Sequence, residues 1–328
     1  MNLNSENPVI AEATRGSLTE SRHRGSFAVC DQNRKVITSA GQFEVPVYPR
    51  SAIKAFQCLP VIESGAADSF GFTDEEIALC CSSHNGEPEH VRVAASMFKK
   101  CGASESAYEC GPHWPGTEDA LHSMVRAGEK PRRIHNNCSG KHAGMIALAV
   151  HLGISPTGYS SIGHPVQKAV AKAMGSICDV DLNKCEYGID GCSLPTWAFP
   201  LHNMAIGFAR LGAADHKAGQ RMITAVRTHP FMVAGTGRFD TKIMQAVPRL
   251  FIKVGAEGVF CGSIPHAGLG FALKCDDGGT RGAEVAVAAM LAKLDVWTDE
   301  ERTAISTFSH SILRNWMKTE VGEMRAAF

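Results

Sequence analysis

The sequence predicts an α+β fold on three observations. Short β-prone runs sit at both ends of the chain, a long helical stretch fills the middle, and two helical runs follow the last strands. One sheet built from N- and C-terminal strands, covered by helices and joined to a mainly helical lobe, is the economical arrangement. The expected bounds are an α/β lobe at about 1–48 and 212–328 and a helical lobe at about 49–211, within a single catalytic unit of 328 residues. A cleft between the lobes is the natural site for chemistry in such a layout.

Each element has its own signal. "GSFAVCD" and "KVITSAG" are β-prone runs joined by a polar turn at Gln32 and Asn33, a hairpin pattern. From about Ser51 to Leu211 the periodicity is helical. A first helix begins near Ser51, and Pro60 is expected to end or kink it. Glu89 to Lys100 carries apolar residues at helical spacing, with basic residues before Gly102 as a stop. "KHAGMIALAVHLG" and "HPVQKAVAKAMGSIC" follow the same rule. After Arg249, "RLFIKVGAEGVFCGSIPHAGLGFALKCDDG" breaks into short apolar runs at Gly and Pro, as antiparallel strands do. "GAEVAVAAMLAKL" and "TDEERTAISTFSHSIL" read as closing helices, the second started by a Thr298/Glu301 capping box.

Composition excludes several classes. Lys plus Arg equals Asp plus Glu at 33 each, and no basic stripe recommends a nucleic-acid partner. No stretch approaches the roughly 18 apolar residues of a membrane span, so no membrane partner is expected. "MNLNSENPVIAEATRG" lacks a basic start with a long apolar run, and the twelve cysteines have no framework spacing. The expectation is a cytoplasmic protein with reduced thiols.

The chemistry starts at "YPRSAIKAFQ". Ser51 and Lys54 lie three apart at a helix start, where the dipole disfavours an ammonium and a desolvated lysine can take a serine proton. A second tetrapeptide, Ser96-x-x-Lys99, has its lysine at a helix C-terminus, where cations are favoured, and reads as structural. An isolated Ser-x-x-Lys is most simply a capping serine and a solvated lysine. Here it is followed by Ser83-His84-Asn85 and Lys253-Val254-Gly255, in the order of the Ser-x-x-Lys, Ser-Asp-Asn and Lys-Thr-Gly set of serine acyl enzymes. Ser83 and Lys253 would form a second serine–lysine pair.

In the middle, Cys138, Lys141 and His142 open a helix, while Asp190 and Cys192 lie on a later loop. Two cysteines and a histidine could hold zinc, but the spacing matches no standard zinc motif, and spacing alone favours core thiols. Gly140-Lys141 lacks the rest of a phosphate-binding loop, and "GTGRFD" and "GLGFAL" are incomplete dinucleotide fingerprints that read as turns.

Six segments, "PRSAIKAFQ", "CCSSHNGEPEH", "HNNCSGKHAGM", "DGCSLPT", "KVGAEGVFCG" and "GLGFALKCDDG", resemble the rhizobial type of L-asparaginase, a family related in fold to serine β-lactamases and glutaminases. The resemblance covers most of the chain. It implies hydrolysis of L-asparagine to aspartate and ammonia, with Ser51 as nucleophile, Lys54 its base, and Ser83 and Lys253 as the second tandem. Lys274 is an alternative for the last role. It also implies a zinc site of Cys138, Lys141 and Cys192, lined by Asp190 and His142, and a homodimer. Arg50 and Asp190 are candidates for the substrate's carboxylate and ammonium, with Glu87 and Glu257 as further acids. A glutaminase would use the same chemistry with one more methylene in the substrate. A non-enzymatic zinc-binding or redox protein is the alternative from another class.

Overall fold

The computed structural model describes residues 7–328; residues 1–6, the start of the stretch read for a leader, lie outside the described residues. Strands β1 (Val9–Arg15), β2 (Leu18–Asp31) and β3 (Val36–Ala40) open the chain. Helices α1 (Lys54–Glu63), α2 (Ala66–Ser69), α3 (Asp74–Cys80), α4 (Pro88–Cys101), α5 (Glu118–Arg126), α6 (Ser139–His151) and α7 (Pro165–Cys178) follow. A small hairpin, β4 (Tyr187–Ile189) and β5 (Pro195–Trp197), precedes α8 (Leu201–Leu211), α9 (Lys217–Thr228), α10 (Pro230–Val233) and α11 (Phe239–Ala246). The chain closes with β6 (Phe251–Gly255), β7 (Val259–Ile264), β8 (Leu269–Cys275), α12 (Thr280–Ala292), α13 (Asp299–Ser306), β9 (His310–Arg314) and β10 (Glu320–Ala326).

Two compact units result. The sheet unit comprises the chain up to Ala52, Ala198–Ala213 and Lys242–Phe328. Its strand order is β6-β7-β8-β2-β1-β10-β9, antiparallel throughout, with β3 also pairing β2. The 14-residue β2 serves two neighbours: its first half pairs with β1 and its second with β8 and β3. Gly25 marks the change of partner, where a Cβ would come 2.3 Å from the Lys274 carbonyl and 2.5 Å from Ile10. Helix α8 lies flush on β8 because Gly270 has no side chain; a Cβ there would be 2.1 Å from the Ala205 carbonyl. Ala11, Ala13, Val285 and Met324 form a buried cluster on β1, α12 and β10, with Leu313 packed against it.

Sheet and helices from both ends of the chain confirm the α+β class, with two differences of detail. The second closing helix stops at Ser306, and "HSILR" is strand β9 rather than more helix. The hydroxyls of Ser306, Thr307 and Ser309 bond back to Arg302, Ala304 and Ser306 carbonyls, competing with helix propagation. Pairing with β10 then turns Leu313 onto the apolar cluster. Pro60 does not end its helix either; α1 runs on to Glu63.

The helical unit comprises Ile53–Trp197 and Ala214–Thr241. These bounds depart from the 49–211 expectation because α8 packs on the sheet, while α9 returns to the helices, where Arg221 pairs with Asp68 at 2.6 Å. Helix α6 is almost wholly buried. Its glycine face explains how it sits: a Cβ on Gly140 would be 2.2 Å from the Leu79 carbonyl, and one on Gly144 2.8 Å from the Cys80 sulfur. The start of α6 is thereby pressed against the end of α3, bringing Cys138 beside the segment that carries Ser83. Among the described residues, no helix is long and apolar enough to cross a membrane.

Candidate active site and metal centre

Lys54, the first residue of α1, is fully buried. Its amine lies 3.0 Å from Ser83 Oγ, 2.5 Å from the Ser82 carbonyl, 3.4 Å from the Asn137 carbonyl and 3.1 Å from Cys138 Sγ. Burial lowers the Lys54 pKa; Lys141 pushes the same way, while Cys138 and Cys192 oppose. Nζ donates to the Ser82 and Asn137 carbonyls and to Ser83 Oγ, and an amine that loses a proton here gains the lone pair with which a base takes one from a hydroxyl.

The Ser83 segment is fixed on all sides. Its N–H donates to the Val233 carbonyl at 2.9 Å, the Asn85 N–H to Ala234 at 2.9 Å, and the His84 N–H to Asn137 at 3.2 Å. The Gly86 N–H donates to His84 Nδ1 at 2.9 Å, so the ring proton sits on Nε2, which donates to Ser139 Oγ at 2.9 Å. Burial, with His90 next, pushes the His84 pKa well down and keeps the ring neutral. His84 stacks on His90, and His90 on Phe231.

One turn into α6, Lys141 Nζ lies 3.1 Å from Cys192 Sγ, and the Cys192 and Cys138 thiols share a hydrogen bond. That bond, with Lys141 and Lys54 nearby, holds Cys192 down as a thiolate. Burial acts against charge on Lys141, but Cys192, Cys138 and Asp190 outweigh it and raise its pKa in the absence of a cation. His142 Nδ1 meets the Tyr159 hydroxyl at 2.5 Å, while its Nε2 is buried with no hydrogen-bond partner among the described residues. Two sulfurs and a lysine nitrogen meet here, donors of the kind a thiophilic cation such as zinc takes, although among the described residues no third His, Cys, Asp or Glu brings a ligand atom within 4.8 Å of both sulfurs. Asp190 is half-buried and acts on Lys141 through its charge.

Apart from Glu87, which lies in the helical unit, the remaining predicted residues belong to the sheet unit. Arg50 and Ser51 occupy a short 3-10 turn, Arg50–Ile53, that runs into α1; both are half-buried, and Arg50 takes a left-handed φ of 52°. Lys253 is fully buried in β6 and donates to the Val254 carbonyl at 2.6 Å. Gly255, on the same face of β6 as Lys253, meets the Ser51 turn: a Cβ there would lie 2.6 Å from the Pro49 carbonyl and 2.9 Å from the Ala52 nitrogen. Lys274 is engaged by the Glu257 carbonyl at 2.7 Å and by the Cys275 carbonyl.

Sequence reasoning missed His84, Tyr159 and Arg238. His84 stood inside the Ser-His-Asn motif, and Arg238 inside "GTGRFD", which was legible only as a turn. Nothing local singles out Tyr159. In the sheet unit, His23, Cys275 and Asp277 bring ligand atoms within 4.8 Å of one another. There Arg281 donates to His23 Nε2 at 3.3 Å, which leaves the proton on Nδ1 directed at Asp277, 2.7 Å away. Both ring nitrogens are thus occupied in a closed hydrogen-bonded corner.

A family model described as L-asparaginase II matches residues 11–326. The chain belongs to the L-asparaginase II family. No curated protein matches this family member. Among solved structures it is similar to Mglu in its tris and glutamate form, at 13% identity and a TM-score of 0.44, covering 85% of this chain and 61% of that one. It thus spans about three fifths of that protein's length. It is also similar to a β-lactamase from Mycobacterium bovis, at 13% identity and a TM-score of 0.41, over 87% and 95% of the two chains. The simvastatin synthase of Aspergillus terreus follows at 8% identity and a TM-score of 0.36, over 87% and 91%. Membership of the asparaginase family supports an amidohydrolase acting on a small-molecule amide.

Proposed function

We propose that the protein hydrolyses L-asparagine to L-aspartate and ammonia through a serine acyl-enzyme. The observation that carries the reading is the buried Lys54 amine in hydrogen-bond reach of Ser83 Oγ, directly after the turn bearing Ser51. Ser51 is the attacking serine, because it is only half-buried whereas Ser83 is 5% exposed. Neutral Lys54 takes the Ser51 proton as Oγ attacks the side-chain amide carbon. The same proton passes from Lys54 along the relay of Ser83 and Lys253 to the departing nitrogen, which leaves as ammonia and returns Lys54 to its neutral form. Water then cleaves the β-aspartyl ester, and its proton returns through Lys54 to restore Ser51. Cys138, Lys141 and Cys192 would hold zinc, with Asp190 and His142 beside it. When bound, the cation supplies a fixed positive charge that orients polar groups near it. The chain is further proposed to act in the cytoplasm as a homodimer.

The test is ammonia release from asparagine and from glutamine by wild type, Ser51→Ala and Ser83→Ala, with the acylated peptide mapped by mass spectrometry. Turnover of asparagine with an acyl group on the Ser51 peptide is expected. No turnover of either amide sinks the amidohydrolase reading, a preference for glutamine moves the substrate, and acylation at Ser83 exchanges the two serines.

A further inference from the structure

We infer that Arg238 is the specificity-determining residue that takes the substrate's α-carboxylate. Arg238 lies on the Gly235-Thr236-Gly237-Arg238 loop, which is moulded onto the Ser83 segment. Gly235, at a φ of 111°, leaves no room for a side chain: a Cβ would be 2.5 Å from Glu87 Oε1 and 2.8 Å from Asn85 Nδ2. Glu87 fastens the loop by accepting from the Thr236 N–H at 2.8 Å and the Thr236 hydroxyl at 2.6 Å. Asn85 Nδ2 donates to the Thr236 carbonyl at 3.1 Å. The Arg238 backbone is therefore anchored next to the serine.

The side chain is anchored by one nitrogen. Arg238 Nη1 donates to Asn85 Oδ1 at 3.1 Å and to the carbonyl of Ser83 itself at 3.4 Å. Neither acceptor is charged, and the guanidinium makes no ion pair with any described residue. Arg238 is half-buried, and its Nε–Nη2 edge has the fork that binds a planar carboxylate through two parallel bonds. The other cations of the cluster are committed: Lys54 to Ser82, Ser83, Asn137 and Cys138, and Lys141 to Cys192. An amino-acid amide with one intervening methylene places its carboxylate carbon about 4 Å from the amide carbon, three single bonds away. In the proposed mechanism Ser83 hands the proton to the departing nitrogen, so an arginine bonded to the Ser83 carbonyl is at the right scale to fix that end.

This inference rests on the amidohydrolase reading, and the experiment separates the two. Steady-state kinetics of wild type, Arg238→Gln and Arg238→Lys are measured on L-asparagine and on L-asparaginamide, which lacks the α-carboxylate, with products resolved by chromatography. Calorimetric binding of L-aspartate is measured alongside. Arg238→Gln is expected to raise KM for asparagine by about 10- to 100-fold, the span of a lost charge-assisted pair, without a matching rise for asparaginamide. Arg238→Lys recovers part of the loss, and aspartate binding weakens in parallel. An unchanged asparagine KM, or an equal loss on both substrates, overturns the inference, the latter by showing that Arg238 only supports the Ser83 segment. Wild type that turns over neither asparagine nor glutamine defeats the amidohydrolase reading. Arg238-dependent aspartate binding would still sustain the carboxylate site in that case, and absent aspartate binding would remove it.

Discussion

At the scale of the residue, Lys54 concentrates the functional argument. Its amine has four possible partners, Ser82 O, Ser83 Oγ, Asn137 O and Cys138 Sγ, in a place without solvent to compensate a loss. A side chain of similar length without the nitrogen keeps the volume and removes the base. Lys54→Met is therefore expected to lower ammonia release by about 10²- to 10⁴-fold, the range of a general base, with circular dichroism close to wild type. Activity within tenfold of wild type would take proton transfer away from Lys54. The pairing was half visible beforehand. Ser51-x-x-Lys54 can be read from helical spacing, but the approach of Lys54 to Ser83, 29 positions later, depends on how two segments pack.

Elements set the tolerance around that residue. Helix α6 approaches α3 closely enough that Gly140→Ala would drive a methyl into the Leu79 backbone. Overpacking of this kind costs about 1–3 kcal/mol, and the shift falls at the helix start that carries Cys138 and Lys141. Gly140→Ala is expected to lower the thermal midpoint and, in the fraction that folds, activity as well; unchanged values for both would mean the helices are not in this contact. At α13, Glu301 closes the capping box with Thr298 and also pairs with Arg249. The Arg249 bond holds the Glu301 pKa down to about 2 from 4.5. A depressed carboxyl pKa stabilises the fold above the unfolded value and loses that contribution as pH falls from about 4.5 toward 2. The melting-temperature gap between wild type and Glu301→Gln should accordingly be full at pH 6 and shrink below pH 4.5. A gap that widens on acidification would reverse the sign. The capping box was legible because its residues are three apart; Arg249, 52 positions away, was not.

For the whole molecule, the proposed metal gives the clearest global readout. A cation held by Cys138, Lys141 and Cys192 links the start of α6 to the loop after β4, so binding should stabilise the folded chain by mass action. Purified protein is expected to carry about one zinc per chain, with a melting temperature that falls on chelation. Cys138→Ser should carry little zinc and not respond to chelator. Full zinc content in a folded Cys138→Ser variant would place the metal elsewhere.

By itself the sequence determined the class of the fold, the helical start at Ser51 and Lys54, the strand bearing Lys253, and the six segments that mark the family. These depend on periodicity, capping and ordered motifs, which are local. Tertiary structure alone decided that α8 lies on the sheet, that "HSILR" is a strand, and that Arg238 grips the serine segment. It also decided that the Lys54 amine reaches both Ser83 and Cys138. Each of those outcomes turns on a close approach between distant segments, through Gly270 against α8, Leu313 on the β1–β10 cluster, and Gly140 and Gly235 against their neighbours. A glycine in a sequence says only that a Cβ is absent; which backbone fills the space is settled when the chain packs.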